Sequence, residues 1–266
     1  MTRGRPVRRV RTAFQVGVVV TAFITGHRFA HGLSRTSIET FCPFGGLESA
    51  LSLFTSQRFT CATGERNLAL FIGLLVLTAL ARRAFCGWVC PVGALSEWLV
   101  RLKAVVRGHR ASFVPPLPGR ADRGLRWVRL IVLALILWFT YRAGELIFRG
   151  FDPYYVLFSF HGHDVEPWSY LVVGALVAGM VAVPMLWCRY LCPLGVALLP
   201  FSMVGWLRVR RNEAVCTGCG VCDRVCPHAI RVAYADRVRS PECTLCLECS
   251  EACPTHALEL RGEIRA

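Results

Sequence analysis

Hydrophobic positions gather into four long stretches, set apart by polar segments rich in arginine. The stretches are roughly 12–27 (TAFQVGVVVTAFITGH), 67–81 (NLALFIGLLVLTALA), 130–141 (LIVLALILWFTY) and 167–188 (PWSYLVVGALVAGMVAVPMLWC). A membrane span needs about 20 mostly apolar residues. Only the fourth stretch meets that unaided. The others reach it when flanking Arg11, Arg66, Arg82, Arg126, Arg129 and Arg142 extend to the interface. The pattern predicts transmembrane helices over about 10–30, 66–84, 125–146 and 167–187. The soluble alternative, four buried helices of a globular core, does not account for the basic flanks.

The segments between the stretches alternate in charge. Residues 1–11 hold five Arg and no acid, 82–126 hold eight Arg and one Lys against two acids, and 188–211 hold four Arg and no acid. Residues 28–66 balance four Arg with three Glu, and 142–166 carry two Arg against four acids. Basic loops stay cytoplasmic, so both termini are expected inside a bacterial inner membrane that the chain crosses several times. The net charge of +14 then follows from topology and attraction to membrane lipid, with no call for nucleic acid. The N-terminal stretch lacks a small-residue cleavage site and is expected to stay as an anchor. A hydrophobic fraction of 54% and a mean hydropathy of +0.46 agree with a membrane protein.

Fourteen cysteines complicate this picture, eight of them within the last 51 residues. Two lie in FCGWVCPVG (85–93) and two in WCRYLCPLG (187–195), the same Cys-x3-Cys-Pro turn 102 positions apart. Each turn ends an apolar stretch and precedes an amphipathic one (94–106 and 196–210), which suggests a duplicated two-helix unit with 111–124 as linker. The duplication brings the turns at 86–91 and 188–193 toward a common axis. Cys86, Cys90, Cys188 and Cys192 then have three readings: a shared third cluster, two redox-active dithiols, or a structural turn with free thiols.

The last sixty residues are more specific. CTGCGVCDRVCP (216–227) and CTLCLECSEACP (243–254) are both C-x2-C-x2-C-x3-C-P. Three thiolates of one run hold one iron–sulfur cluster and the fourth cysteine serves the other. One [4Fe–4S] cluster is therefore expected on Cys216, Cys219, Cys222 and Cys253, and a second on Cys243, Cys246, Cys249 and Cys226. Zinc knuckles, the alternative, use paired CxxC without this four-cysteine run.

Spans with two Cys-x3-Cys-Pro turns, followed by a two-cluster ferredoxin module, resemble the NapH/MauN-type membrane ferredoxin proteins. NosR-like and FixG/CcoG-like membrane domains are more distant relatives. The resemblance covers nearly the whole chain and implies electron-transfer roles for Cys86, Cys90, Cys188, Cys192 and the eight ferredoxin cysteines. It implies a link to the quinone pool, since NapH-type proteins oxidise quinol beside periplasmic nitrate reductase. FixG/CcoG-like relatives suggest a second function class, an assembly or maturation factor that reduces a metal or thiol. A redox sensor is a third.

Cys42 and Cys61 fall in a segment expected outside and are candidates for an external disulfide. His27, His31, His161 and His163, with Glu145 and Asp152, lie on the same expected side as candidates for haem, quinol or proton binding. No P-loop and no CxxCH haem motif occurs. The expected fold is an all-α four-helix transmembrane domain (1–206) with a small α+β ferredoxin domain (207–266). The expected function is membrane electron transfer through two or three [4Fe–4S] clusters, between the quinone pool and a partner oxidoreductase or carrier.

Overall fold

The computed structural model describes residues 6–34, 37–56, 64–108, 113, 118–143, 150–160 and 165–262. In chain order the helices are α1 (Pro6–Ala30), α2 (Pro43–Ser56), α3 (Gly64–Ala81), α4 (Ala84–Trp88), α5 (Pro91–Val106), α6 (Gly119–Leu125) and α7 (Val128–Ala143). They continue as α8 (Pro153–Phe158), α9 (Pro167–Ala182), α10 (Pro193–Ala197), α11 (Leu199–Val204), α12 (Val221–Val225) and α13 (Glu248–Ala252). Six of these helices begin on proline. Its fixed φ suits the first turn, and its missing N–H has no partner there in any case.

Three helices are long and apolar enough to cross a membrane: Pro6–Ala30, Gly64–Ala81, and Gly119–Arg142 taken through α6 and α7. The fourth expected span is shorter. α9 has 16 residues, about 24 Å of helix against a hydrocarbon core of about 30 Å. It stops because Val183 precedes Pro184 and is driven to extended backbone (φ −116°, ψ 113°). Met185 then takes a positive φ of 57°, and a π-helical turn spans Trp187–Leu191. The stretch that looked most like a span by composition is thus the one its own proline cuts short.

The helices are apolar on the outside. Phe14, Val20, Phe23 and Ile24 of α1, Ile72, Val76 and Leu80 of α3, Ile131 and Phe139 of α7, and Leu171 of α9 are all exposed. A continuous apolar belt of this kind is covered by lipid in a membrane protein. The polar residues turn inward instead. Arg11, Arg82, Arg83 and Arg189 are fully buried at the end of the bundle that meets the C-terminal domain. Of the arginines expected to reach the interface, Arg66 and Arg142 are exposed, whereas Arg11 and Arg82 serve the interior.

The C-terminal domain is closed by two antiparallel strands, β1 (Leu207–Arg211) and β2 (Leu258–Gly262), paired Leu207 to Gly262. Val209, Val232, Val238, Leu245 and Leu258 form its small core. The domain is docked on the helices by buried polar contacts. Trp88 Nε1 donates to the Leu245 carbonyl (3.1 Å), Arg82 Nη1 to Ser240 (2.6 Å), and the Arg83 N–H to Cys243 (3.4 Å). Arg129 pairs with Glu242 at 2.5 Å. Arg11 and Arg101 both pair with Glu97 and, at 2.8 Å each, with Glu248. Glu251 accepts the first free N–H groups of α1, at Val7 (2.7 Å) and Arg8 (3.1 Å). A carboxylate suits that helix terminus.

Candidate functional site

The two cysteine runs of the C-terminal domain fold as near-copies. Each loop holds two residues at positive φ, Gly218 and Gly220 in the first (69° and 66°), Leu245 and Leu247 in the second (46° and 58°). Glycine adopts that conformation freely, whereas each leucine carries roughly 1–2 kcal/mol of strain. Cys216, Cys219, Cys222 and Cys253 line one small cavity. Cys226, Cys243, Cys246 and Cys249 line a second. In each case three cysteines of one run meet the fourth of the other. The chain then turns back on each sulfur, so that Ile230 N–H points at Cys226 Sγ and Ala257 N–H at Cys253 Sγ, both at 3.4 Å.

Among the described residues, no three His, Cys, Asp or Glu side chains converge closely enough to hold a single metal ion. A zinc knuckle would draw its ligands to about 2.3 Å from one centre. Thiols that each serve a different iron of a cube stand farther apart. Burial pushes the Cys226 thiol up to about 12 and the Cys246 thiol up to about 11. Such thiols give up their protons to a strongly bound metal.

The four Cys-x3-Cys-Pro cysteines also come together. Cys86 lies on α4 and Cys188 in the π-helical turn, while Cys90 and Cys192 cap the N-termini of α5 and α10. The thiol of Cys188 is within electrostatic reach of Cys86, Cys90 and Cys192.

Buried guanidinium groups reveal what these cysteines are built to face, and the sequence marked Arg11 and Arg82 only as interfacial flanks and Arg83 not at all. Arg83 lies among Cys86, Cys188 and Cys192, yet its Nε and Nη1 have no hydrogen-bond partner. Arg82 stands beside Cys243 with Nε and Nη2 unpartnered. Arg11 donates from Nη1 to the Cys246 carbonyl (3.5 Å) and leaves Nε unpartnered. A buried cation with idle donors costs several kcal/mol. An iron–sulfur core held by thiolates is an anion, and one bound beside each of these guanidinium groups would offset that cost. The residues present therefore fit such clusters.

A cavity of about 890 Å³ opens beside Cys90 and Cys192. Its walls are α1, from Ala13 to Thr25, and α3, from Ala69 to Leu77. Cys42, Cys90, Cys192, Asp152 and Tyr154 line it with Phe85 and Trp187. Cys42 lines the cavity with two of the turn cysteines, and its thiol donates to Asp152 Oδ2 at 3.4 Å. Cys61, its expected disulfide partner, lies outside the described residues, as do Glu145, His161 and His163. His27 and His31 are exposed and packed on each other with ring centroids 4.3 Å apart.

Comparison with known proteins settles the family. A family described as "4Fe-4S binding domain" matches twice, at 63–110 and 165–211, each time over an apolar helix and its Cys-x3-Cys-Pro turn. A "4Fe-4S dicluster domain" matches 208–254. The ferredoxin-type protein NapH of Escherichia coli (strain K12) is 25% identical over 93% of this chain and 85% of its own length. The methylamine utilization ferredoxin-type protein MauN of Methylobacillus flagellatus is 28% identical over 83% and 74%. This chain belongs to the NapH/MauN-type 4Fe–4S ferredoxin-type proteins. YccM of Escherichia coli (strain K12) is 31% identical over 82% of the chain, which spans 61% of that protein. No solved structure matches. As a ferredoxin-type protein with helices long and apolar enough to cross a membrane, the chain carries [4Fe–4S] clusters.

Proposed function

We propose that this ferredoxin-type protein relays electrons between the quinone pool and a partner oxidoreductase, through three iron–sulfur sites placed in series. Cys216, Cys219, Cys222 and Cys253 would hold one [4Fe–4S] cluster, and Cys226, Cys243, Cys246 and Cys249 a second. Cys86, Cys90, Cys188 and Cys192 would hold a third. When bound, the clusters supply one-electron redox chemistry.

The observation that carries this reading is the placement of Arg83. Its backbone N–H donates to Cys243 and its side chain lies among three of the turn cysteines. One residue therefore joins the second ferredoxin site to the four-cysteine site. That site in turn borders the large apolar cavity through Cys90 and Cys192. At the other end, Cys219 is exposed, so the first site reaches the surface where a soluble partner would dock. Apolar walls with a few polar groups at one end suit a quinone ring and its isoprenoid tail.

Among the described residues, Arg8, Arg11, Arg82, Arg101, Arg126 and Arg129 all contact the C-terminal domain, so basic charge gathers at that end of the bundle. In a bacterial inner membrane this end, with both termini, faces the cytoplasm by the positive-inside rule. Low-temperature EPR of anaerobically purified protein tests the relay, using decyl-ubiquinol and then dithionite as reductants. A reduced-cluster signal with the quinol is expected. Signals with dithionite alone would mean that electrons enter from a lower-potential donor and not from quinol.

A further inference from the structure

One end of the cavity is polar. Among the described residues on its wall, Asp152 is the sole carboxylate, and no Lys, Arg or His joins it. Asp152 is 8% exposed and has no ion-pair partner among the described residues. It caps the N-terminus of α8, with Oδ1 accepting the Tyr154 N–H at 3.0 Å and Oδ2 accepting the Cys42 thiol. Both oxygens keep a second lone pair.

The position has a counterpart in the other half of the molecule. Phe151-Asp152-Pro153-Tyr154 opens α8 as Phe41-Cys42-Pro43-Phe44 opens α2. Each tetrapeptide precedes an apolar helix that ends in a Cys-x3-Cys-Pro turn. The duplicated unit therefore brings two helix starts to one spot, a thiol from one and a carboxylate from the other. A cap on a surface turn needs only a small polar group. Here the cap is buried, uncompensated by a cation, and aimed at an apolar cavity beside redox cysteines.

We propose that Asp152 is the proton acceptor for a p-quinol bound in this cavity, with the quinol ring against Asp152 and Tyr154 and the isoprenoid tail between α1 and α3. This rests on the quinone reading above and adds the proton path to it. Oxidation of one quinol to the quinone breaks two O–H bonds and releases two electrons and two protons. The electrons leave one at a time for the iron–sulfur clusters. The Asp152 carboxylate takes the first proton as a carboxylic O–H, and takes the second once the first has passed to solvent. Cys42 holds Asp152 Oδ2 in place and is a positioning residue. The titratable groups facing Asp152 are Cys42 from the turn before α2, Tyr154 on its own helix, and Cys192 from the start of α10, while Cys90 at the start of α5 faces Tyr154. Burial, opposed by the Tyr154 N–H and the Cys42 thiol, raises the Asp152 carboxyl to about 6. As pH falls through that value the carboxylate is lost and proton acceptance stops.

Two measurements on the full, cluster-loaded chain test this. In stopped-flow reduction by decyl-ubiquinol, Asp152→Asn should slow cluster reduction about a hundredfold, leave dithionite reduction unchanged and lose the fall in rate below about pH 6. Asp152→Glu should recover much of the rate. Asn still caps a helix, so the fold is kept. A quinol rate in Asp152→Asn equal to that of the parent chain overturns the proposal while the quinone reading stands. No quinol reduction in the parent chain overturns both. The second measurement uses the unaltered protein and no turnover. Dicyclohexylcarbodiimide, which attacks buried protonated carboxyls, should label Asp152 in peptide mass spectra. Decyl-ubiquinone should block the label and a fatty alcohol of similar length should not. Equal protection by the alcohol would mark the cavity as a lipid groove and overturn the proposal.

Discussion

At the scale of single residues, the arginines carry most of the chemistry. Arg11, Arg82 and Arg83 are fully buried, each has donors without partners, and each stands beside cysteines of a proposed cluster site. A positive charge close to a cluster stabilises the reduced, more negative form. At an effective dielectric near 20 a unit charge about 6 Å away is worth about 3 kcal/mol, which for one electron is about 120 mV. Arg82→Met should therefore lower the potential of the cluster proposed on Cys243 by about 120 mV in an EPR-monitored redox titration, with Arg82→Lys close to the parent value. An unchanged potential in the Met variant would show that the guanidinium serves packing alone. The spacing of residues around Arg82 gave no hint of this. An arginine at the end of an apolar stretch looks like an interfacial anchor, and only the docking of the 243–249 loop turns it into a neighbour of a cluster site.

At the scale of elements, the cluster loops are held to the helices by ion pairs that exclude water. Glu248 opens α13 and pairs with Arg11 of α1 and Arg101 of α5, with side chains 7%, 0% and 16% exposed. Without Glu248 the two guanidinium groups share Glu97 alone, which leaves one buried positive charge in excess, at a cost of up to roughly 3–5 kcal/mol. Glu248→Ala should lower the thermal midpoint and speed proteolysis between α11 and β1, as the C-terminal domain comes away from α1 and α5. Unchanged proteolysis would mean that Trp88 and Arg129 hold the domain by themselves. The element boundaries show where sequence reading works. α1, α3 and α7 lie within a few residues of their expected limits, because a long apolar run has one stable answer in lipid. α9 fell short because a single proline outweighed the composition around it. α2 and α8 went unseen because each is a short helix in a segment that reads as a loop, marked only by its Xaa-Pro start.

At the scale of the molecule, the chain is a twice-repeated helical unit with a two-cluster domain seated on its basic end. The eight C-terminal cysteines were legible because their spacing alone brings each set of four to one cavity. The turn cysteines were legible as a pair of pairs, but their number of readings was not reduced by sequence. The meeting of Cys42 with Asp152 was not legible. The two are 110 positions apart, and only the folded chain brings the start of α2 to the start of α8.

The central claim is that Cys86, Cys90, Cys188 and Cys192 hold a third cluster between the ferredoxin sites and the cavity. Iron and acid-labile sulfide, counted on anaerobically purified full-length protein, test it most directly. The count expected is about twelve of each per chain, falling to about eight when Cys90 and Cys192 are both changed to serine, with the ferredoxin EPR signals retained. About eight of each in the unaltered chain, with no change on substitution, would contradict it and leave those four cysteines as thiols.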